Sequence, residues 1–172
     1  MQSIHMNRYP VIFASMVTKG CVESGKSVQH GGAKYSTAGM YVTGPANLAD
    51  CIVAVETCVF RDHDITMDEL IHACDTNFEG QERLRQLLLN KPEKYGNNQP
   101  HVDAVYKEMV DFIAEHVQQW HDARGGYYAF GIDSQTMNIP HGQVTGALPD
   151  GRKAGEPFCD ASSPMMGRDL HG

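Results

Sequence analysis

The sequence lacks the usual signals of a membrane, a secreted or a nucleic-acid-binding protein. No run approaches the roughly 18 consecutive apolar residues of a membrane-spanning helix. The first residues carry no basic cluster followed by an apolar core, so no secretory leader is predicted. Lys and Arg number 14 against 21 Asp and Glu, and they form no basic stripe. Because phosphate binding begins with clustered cations, we expect no nucleic acid or membrane partner, and a cytoplasmic location.

Paired cysteines and paired histidines are also missing. The five cysteines are odd in number and contain no C-x-x-C pair, which argues against a disulfide framework or a zinc ribbon. They are Cys21, Cys51, Cys58, Cys74 and Cys159. Cys51 and Cys58 lie seven residues apart on one face of a predicted helix, and we predict that they are small buried apolar side chains. None of the nine histidines stands four residues from another. We therefore predict no metal site, although a metal-binding domain remains an alternative that a metal retained through purification would reveal.

Helical periodicity is present in the middle of the chain. Apolar residues at helical spacing predict a helical region over 46–120, and 172 residues correspond to about one domain. The predicted helices are Ala46–Phe60, one that starts at Thr66, Gln81–Asn90 and Val102–Trp120. Thr66 and Glu69 form the pattern of a capping box, in which each side chain accepts a hydrogen bond from the other residue's backbone N–H group.

The last third of the chain has a different character. Alternating residues after Gly125 and Gly126 predict a strand over about 127–139. Residues 140–172 are rich in Gly and Pro and show almost no periodicity, so an irregular loop is predicted there. A loop of this length is uncommon inside a self-contained domain. It is either functional or needs a further segment against which to pack.

Several short motifs closely resemble, in order, segments of the glycyl radical enzymes. This pyruvate formate-lyase-like family includes glycerol and diol dehydratases, choline lyase and arylacetate decarboxylases. The motifs are Gly31–Tyr35, Gly44–Asp50, Ile65–Leu70, Asn77–Gly80, Lys94–Asn97, Thr145–Pro157 and Ser163–Asp169. The resemblance covers essentially the whole chain, and several separated motifs in order are more specific than any one of them.

The resemblance implies a fold and a chemistry. Members of the family are several times longer, so the chain resembles an interior fragment, a single partial domain over 1–172. The implied fold is α/β and helix-rich, an incomplete portion of a ten-stranded barrel. The implied reaction uses a radical on a backbone glycine, which converts a cysteine on another loop into a thiyl radical that takes a hydrogen atom from a small polar substrate. Elimination, decarboxylation or carbon–carbon cleavage follows.

The resemblance also implies partners. A separate activating enzyme that uses S-adenosylmethionine and an iron–sulfur cluster would install the glycyl radical, in an anaerobic cytoplasm, and the parent is often a homodimer. The chain alone would be inactive. The alternative is a non-catalytic remnant that binds a partner or complements a split enzyme. Neighbouring reading frames that encode the thiyl and radical loops would support the enzyme fragment.

Two short segments superficially match the catalytic loops of the family. Gly20-Cys21-Val22-Glu23 resembles the thiyl loop, but it lies about ten residues before Gly31–Tyr35, where the family commonly places a helix end and a turn. Arg124-Gly125-Gly126-Tyr127 echoes the radical loop, but it is one residue too short and precedes the motif that the radical loop should follow. We therefore assign no catalytic residue and disfavour Cys21 and Glu23.

Two candidates for interaction remain. Asp133 stands where relatives often have an aromatic residue, on a strand that corresponds to a barrel stave, and is the candidate for a substrate-lining residue. Arg152 and Lys153 are predicted to pair with Asp150, Glu156 or Asp160 and to hold the irregular loop, rather than to form an anion site.

Overall fold

The computed structural model describes residues 2–171 and is a helix-rich α/β structure, which confirms the predicted class. No helix in this part of the chain is long and apolar enough to cross a membrane. The helices are α1 (Gln2–Arg8), α2 (Ile12–Val17), α3 (Cys21–Ser24), α4 (Pro45–Val55), α5 (Met67–Asp75), α6 (Glu82–Asn90), α7 (Pro100–Gln118) and α8 (Asn138–Gln143). The strands are β1 (Thr37–Tyr41) and β2 (Tyr127–Gly131).

The chain divides into two compact units, each built from two stretches of sequence. Met1–Tyr41 and Phe112–Gly131 form the first, called here the sheet unit. Val42–Asp111 and Ile132–Gly172 form the second, called the helical unit. The sequence predicted a single partial domain over 1–172, and nothing in its periodicity indicated this division into two units.

The sheet unit is organised around a parallel pair of strands. β1 and β2 pair in register from Thr37 opposite Tyr127 to Tyr41 opposite Gly131. Ser36 is the residue just before β1, and the backbone of Gly126 passes close to it. A Cβ added to Gly126 would lie 2.2 Å from the Ser36 carbonyl oxygen. Only glycine allows this approach, which brings the two strands together.

The strand predicted over 127–139 is correctly placed but too long. β2 ends at Gly131, although alternation in the sequence continues further. A strand needs a partner for its backbone hydrogen bonds, and β1 ends at Tyr41, the residue opposite Gly131. β1 itself was not predicted, since its five residues include Gly39 and are too few for a clear alternation.

The helical unit contains most of the predicted helices and the main apolar core. α4 continues as a π-helical segment, Glu56–Arg61, so the predicted helix 46–60 is confirmed with altered hydrogen bonding in its last turns. The capping box is confirmed as well: Thr66 Oγ1 accepts from Glu69 N at 3.2 Å, and Glu69 Oε2 accepts from Thr66 N at 2.7 Å. The principal core cluster consists of Ala54, Cys58, Val59, Leu70, Ala73, Phe78 and Leu88.

One face of α5 differs from its prediction. Leu70 and Phe78 are buried as the helical spacing indicated, but Met67 and Ile71 belong to the same predicted apolar stripe and are exposed. The small side chain of Ala73 is fully buried and occupies the packed face instead. The core therefore lies on a narrower side of the helix than the stripe suggested.

The predicted irregular loop 140–172 starts within α8 (Asn138–Gln143), which was not predicted; after α8 the chain is irregular as predicted, but it is not loosely attached. Cys159 is 2% exposed, and Asp150 and Arg152 are completely buried. Gly44, immediately before α4, adopts a φ of 77°, and its Cα faces the ring of Phe158 so closely that an added Cβ would lie 3.0 Å from the ring. The loop thus packs within the helical unit, against the start of α4.

Candidate functional site

The most unusual feature of the helical unit is a set of buried polar and charged side chains, called here the buried polar cluster. It consists of five buried residues and Arg168, whose side chain is 11% exposed; the buried residues are Asn47, Asp50, Lys94, Asp150 and Arg152. Asp, Lys and Arg are almost never fully buried unless they are paired. Such a group therefore has either a structural or a chemical role, and its hydrogen bonds identify which.

The cluster is assembled from motifs that carried the family resemblance. Asn47 and Asp50 lie one helical turn apart on α4, and both are 1% exposed. Lys94 belongs to the segment between α6 and α7, whereas Asp150 and Arg168 come from the irregular loop. Four motifs from three separate regions of the sequence therefore meet at one place in the helical unit.

Asp150 lies at the centre of the cluster. Its carboxylate accepts hydrogen bonds from Asn47 Nδ2 at 2.8 Å, from Arg152 N at 2.9 Å and from Arg168 Nη1 at 3.0 Å. The other end of the Asn47 amide accepts a bond from the backbone N–H group of Cys159 at 2.8 Å. Asp150 and Asn47 thereby attach the irregular loop to the start of α4 at two points.

Asp50 is a second buried carboxylate, and its environment changes its acidity. Its Oδ1 accepts from the backbone N–H group of Tyr95 at 2.9 Å, and its Oδ2 lies 3.7 Å from Arg168 Nη1. Burial raises the pKa of Asp50 to about 6, despite the hydrogen bond from Tyr95 and the nearby cations, which act in the opposite direction. Asp50 is thus an acid that titrates near physiological pH.

Arg152 supports the loop, but through partners other than those predicted. Its Nη1 donates to Gly146 O at 2.8 Å, and its Nη2 donates to Gly142 O at 2.7 Å and also to Glu156 O. The guanidinium carbon lies 4.4 Å from the ring centre of Phe158. Backbone carbonyl oxygens therefore hold the Arg152 side chain, and the predicted pairing with the carboxylates of Asp150, Glu156 or Asp160 is wrong.

Those carboxylates and Lys153 have other roles. Glu156 Oε2 accepts from the backbone N–H group of Lys153 at 3.0 Å, so Lys153 uses its backbone rather than its ammonium group. Asp160 Oδ2 accepts from Ser134 Oγ at 2.7 Å at the surface. Both contacts brace the loop locally.

All five cysteines are free, and four of them are buried. Burial raises the pKa of Cys74 to about 11 and also raises the pKa values of Cys51, Cys58 and Cys159. These four thiols are therefore protonated at neutral pH, as expected of packed side chains. Over residues 2–171 no group of three His, Cys, Asp or Glu side chains is arranged to hold a metal ion.

The residues considered for catalysis or substrate contact lie outside the buried polar cluster. Cys21 is the first residue of α3 and is buried, and Glu23 Oε2 accepts from Gly20 N at 2.9 Å, which caps this short helix. Asp133 is exposed and follows the end of β2 by two residues. In the Arg124–Tyr127 segment, Asp122 Oδ1 accepts from the backbone N–H groups of Arg124 and Gly126, which forms a turn before the strand.

Sequence reasoning did not identify Asn47, Asp50, Lys94 or Arg168 as members of a site. The sequence contained a signal for two of them. Asn47 and Asp50 lie on the face of an alanine-rich helix that also carries Ala46 and Ala49, and all four residues are buried. The hydrogen bonds of the cluster are directed at backbone groups and at one another. Its chemistry is therefore that of a scaffold, which fixes the path of the loop.

Comparison with known proteins gives consistent matches along this chain. The pyruvate formate lyase-like family matches residues 1–142. The chain is 36% identical over 166 residues to the probable dehydratase YbiW of Escherichia coli, covering 92% of this chain and 20% of that protein. It is 32% identical over 172 residues to the trans-4-hydroxy-L-proline dehydratase of Clostridioides difficile, covering 100% of this chain and 22% of that protein.

Solved structures of related proteins are also similar to this chain. The glycerol-bound B12-independent glycerol dehydratase of Clostridium butyricum has a TM-score of 0.93 at 36% identity. A glycyl radical enzyme from Archaeoglobus fulgidus has a TM-score of 0.92 at 35% identity. Each match covers 99% of this chain and 22% of the other. The chain thus spans about a fifth of the length of the relatives it matches.

Proposed function

Because this chain belongs to the pyruvate formate lyase-like family of glycyl radical enzymes, we propose that it forms one section of an enzyme acting on a small polar metabolite. The proposed reaction begins with removal of a hydrogen atom from the substrate and continues with elimination, decarboxylation or carbon–carbon cleavage. The observation that carries the proposal is the match of nearly the whole chain to dehydratase structures at TM-scores of 0.93 and 0.94.

In this proposal β1 and β2 are two staves of a ten-stranded barrel. Two parallel strands alone leave outer edges without hydrogen-bond partners, and parallel sheets are normally covered on both faces. Within residues 2–171 the sheet has only these two strands. Further strands from the rest of the enzyme would supply the missing partners.

Exposed apolar side chains in the sheet unit support the same proposal. On α2, Phe13 is 80% exposed and Val17 is 74% exposed, and Val22 on α3 is 72% exposed. Large apolar patches on a protein surface usually mark contacts with another segment or protein. We propose that other parts of the same enzyme cover this surface, and that the assembled enzyme is a homodimer.

The proposed radical chemistry resides outside this chain. A glycyl radical, installed by an activating enzyme that uses S-adenosylmethionine and an iron–sulfur cluster, would supply the one-electron oxidation of a cysteine thiol. Neither catalytic loop is assigned to residues 1–172, and Cys21 and Glu23 stay disfavoured. The contribution of this chain would be to position barrel strands and the irregular loop and to help exclude water from the radical.

The first prediction tests the proposed function with the natural polypeptide that contains this chain. After anaerobic treatment with an activating enzyme, S-adenosylmethionine and a reductant, electron paramagnetic resonance should show a glycyl radical, and the 172-residue chain alone should show none. A natural polypeptide without flanking catalytic loops would overturn the enzyme proposal. It would support the alternative of a non-catalytic remnant or complementing module.

The second prediction concerns Asp133 as a substrate-lining residue. β1 and β2 are parallel, so their carboxyl ends lie at the same edge of the sheet, and Asp133 follows that edge by two residues. In α/β proteins ligands typically bind at the carboxyl ends of parallel strands. Loss of a hydrogen bond from substrate to a charged group costs about 1.5–3 kcal/mol. Replacing Asp133 with Asn should therefore lower kcat/KM of the activated enzyme about tenfold or more.

A matched control is Asp111→Asn, which removes an exposed carboxylate paired with Lys107 on α7. It should leave kcat/KM unchanged, and both variants should reach the radical content of the wild type. Equal kcat/KM values for Asp133→Asn and Asp111→Asn would show that Asp133 does not contact substrate.

A further inference from the structure

A cavity of about 310 Å³ opens beside the buried polar cluster of the helical unit. Its wall contains apolar groups from Leu89, Pro92 and Leu170 and a larger set of polar residues. The polar residues are Asn90, Lys94, Asn97, Gln99, Arg168 and His171. Among residues 2–171, no Asp or Glu lines the cavity. The wall therefore combines two cations and an imidazole with neutral amides.

The two cations have hydrogen-bond donors in reserve. Lys94 is 6% exposed, and among the described residues its ammonium group, which has three donors, bonds to Leu88 O at 2.8 Å. Arg168 uses Nη1 for Asp150, and a guanidinium group has five donors in total. The neighbouring carboxylates of Asp50 and Asp150 do not belong to the cavity wall. Both carboxylates contact the Arg168 guanidinium, Asp150 at 3.0 Å and Asp50 at 3.7 Å, but neither residue lines the cavity.

Hydrogen bonds hold the walls of the cavity in place. Asn97 Nδ2 donates to Lys94 O at 3.0 Å and to Arg168 O at 2.8 Å, and its Oδ1 accepts from His171 N at 2.9 Å. Gln99 Oε1 accepts from Lys94 N at 2.8 Å. A site whose walls are held in this way loses little conformational freedom when it binds a ligand.

We propose that this cavity is a binding site for one oxyanion group, a carboxylate or a phosphate. Hydrogen bonds from charged donors to such anions are among the strongest in proteins. Burial, followed by the charge of Arg168, lowers the pKa of Lys94 against the pull of Asp50 and Asp150, and a bound anion would offset that effect. The anion is either free in solution or a carboxylate from a part of the polypeptide outside residues 2–171. This inference does not depend on the proposed function.

The third prediction tests the site by titrating inorganic phosphate into the natural polypeptide at constant ionic strength, with calorimetric detection. Gln99→Glu keeps an oxygen acceptor for Lys94 N but places a negative charge in the cavity wall. Lys94→Met removes the buried cation and keeps an unbranched side chain. Each variant should weaken phosphate binding about tenfold or more, as expected for loss of a charge-assisted hydrogen bond.

The control is Lys107→Gln, which changes the net charge by the same amount as Gln99→Glu at an exposed lysine on α7. It should leave the phosphate affinity within about twofold of the wild type, since exposed charges contribute little. Equal phosphate affinity in Gln99→Glu, Lys94→Met and Lys107→Gln would overturn the proposal, because it would mean nonspecific attraction.

A second measurement distinguishes the two sources of the anion. If a carboxylate of the polypeptide fills the cavity, the wild type will not bind phosphate, but Gln99→Glu will repel that carboxylate and lower Tm relative to Lys107→Gln. If the wild type binds no phosphate and Gln99→Glu has the same Tm as Lys107→Gln, the cavity is not an oxyanion site.

Discussion

Replacing Arg152 with Met should destabilise the helical unit by about 3–5 kcal/mol, the largest effect that we expect for a single side chain. Arg152 is completely buried and donates to the carbonyl oxygens of Gly142, Gly146 and Glu156. Methionine can fill part of the space, but it removes the donor to all three carbonyl oxygens, of which Gly142 O keeps a bond from Thr145 N at 3.1 Å. Each buried group left unsatisfied costs about 1–3 kcal/mol. In the natural polypeptide, hydrogen exchange of peptides covering 142–158 should accelerate strongly.

Two further variants distinguish hydrogen-bond geometry from charge. Arg152→Lys keeps the positive charge but cannot reach three carbonyl oxygens with a planar fork, so it should also destabilise the loop severely. Lys153→Met, at the next position, should change the free energy of unfolding by less than about 1 kcal/mol. If exchange in Arg152→Met were as slow as in Lys153→Met, Arg152 would not be the support of the loop.

Replacing Asp50 with Asn should stabilise the protein increasingly as pH rises from 4 to 7. The pKa of Asp50 is raised by burial from 3.8 to about 6, so between these values the folded state binds a proton that the unfolded state releases. Asp50 therefore contributes most to stability below about pH 4, and the contribution falls until the pH has passed about 6. The difference of roughly 2 pKa units corresponds to about 3 kcal/mol at most.

The measurement is the free energy of unfolding of both proteins at several pH values, reported as the variant minus the wild type. Asparagine can still accept the hydrogen bond from Tyr95 N, so most of the local geometry is retained. The matched control is Asp75→Asn, which replaces an exposed carboxylate of α5 in the same way. A difference for Asp50→Asn that is constant from pH 4 to 7 would contradict the raised pKa.

Of the eight α-helices in residues 2–171, α4 to α7 were predictable because their signals are local, whereas the short helices α1, α2, α3 and α8 were not predicted. Apolar spacing located α5, α6 and α7 within a few residues, and the capping box at Thr66 is formed by residues three positions apart. The strands were less predictable, since a strand ends where its partner ends. β2 was predicted to continue beyond Gly131, and β1 was not predicted, because their pairing joins distant parts of the chain.

In the candidate site, too, local motifs were predictable and long-range contacts were not. The motifs around Asn47, Lys94 and Asp150 were recognised by resemblance, but their meeting in one buried polar cluster was not predicted. The partners of Arg152 were predicted incorrectly because carbonyl oxygens occur at nearly every residue. Nothing in a sequence indicates which carbonyl oxygens will face a guanidinium group after folding.

By itself, the sequence determined the family, the helix-rich class and the positions of α4 to α7, because motifs and periodicity depend on neighbouring residues. Only the tertiary structure decided that Asp50 is buried enough to have a raised pKa and that Lys94 and Arg168 line a cavity. It also decided that the Arg152 side chain supports the loop by donating to backbone carbonyl oxygens. The physical reason is that burial, desolvation and hydrogen-bond partners depend on groups far apart in sequence.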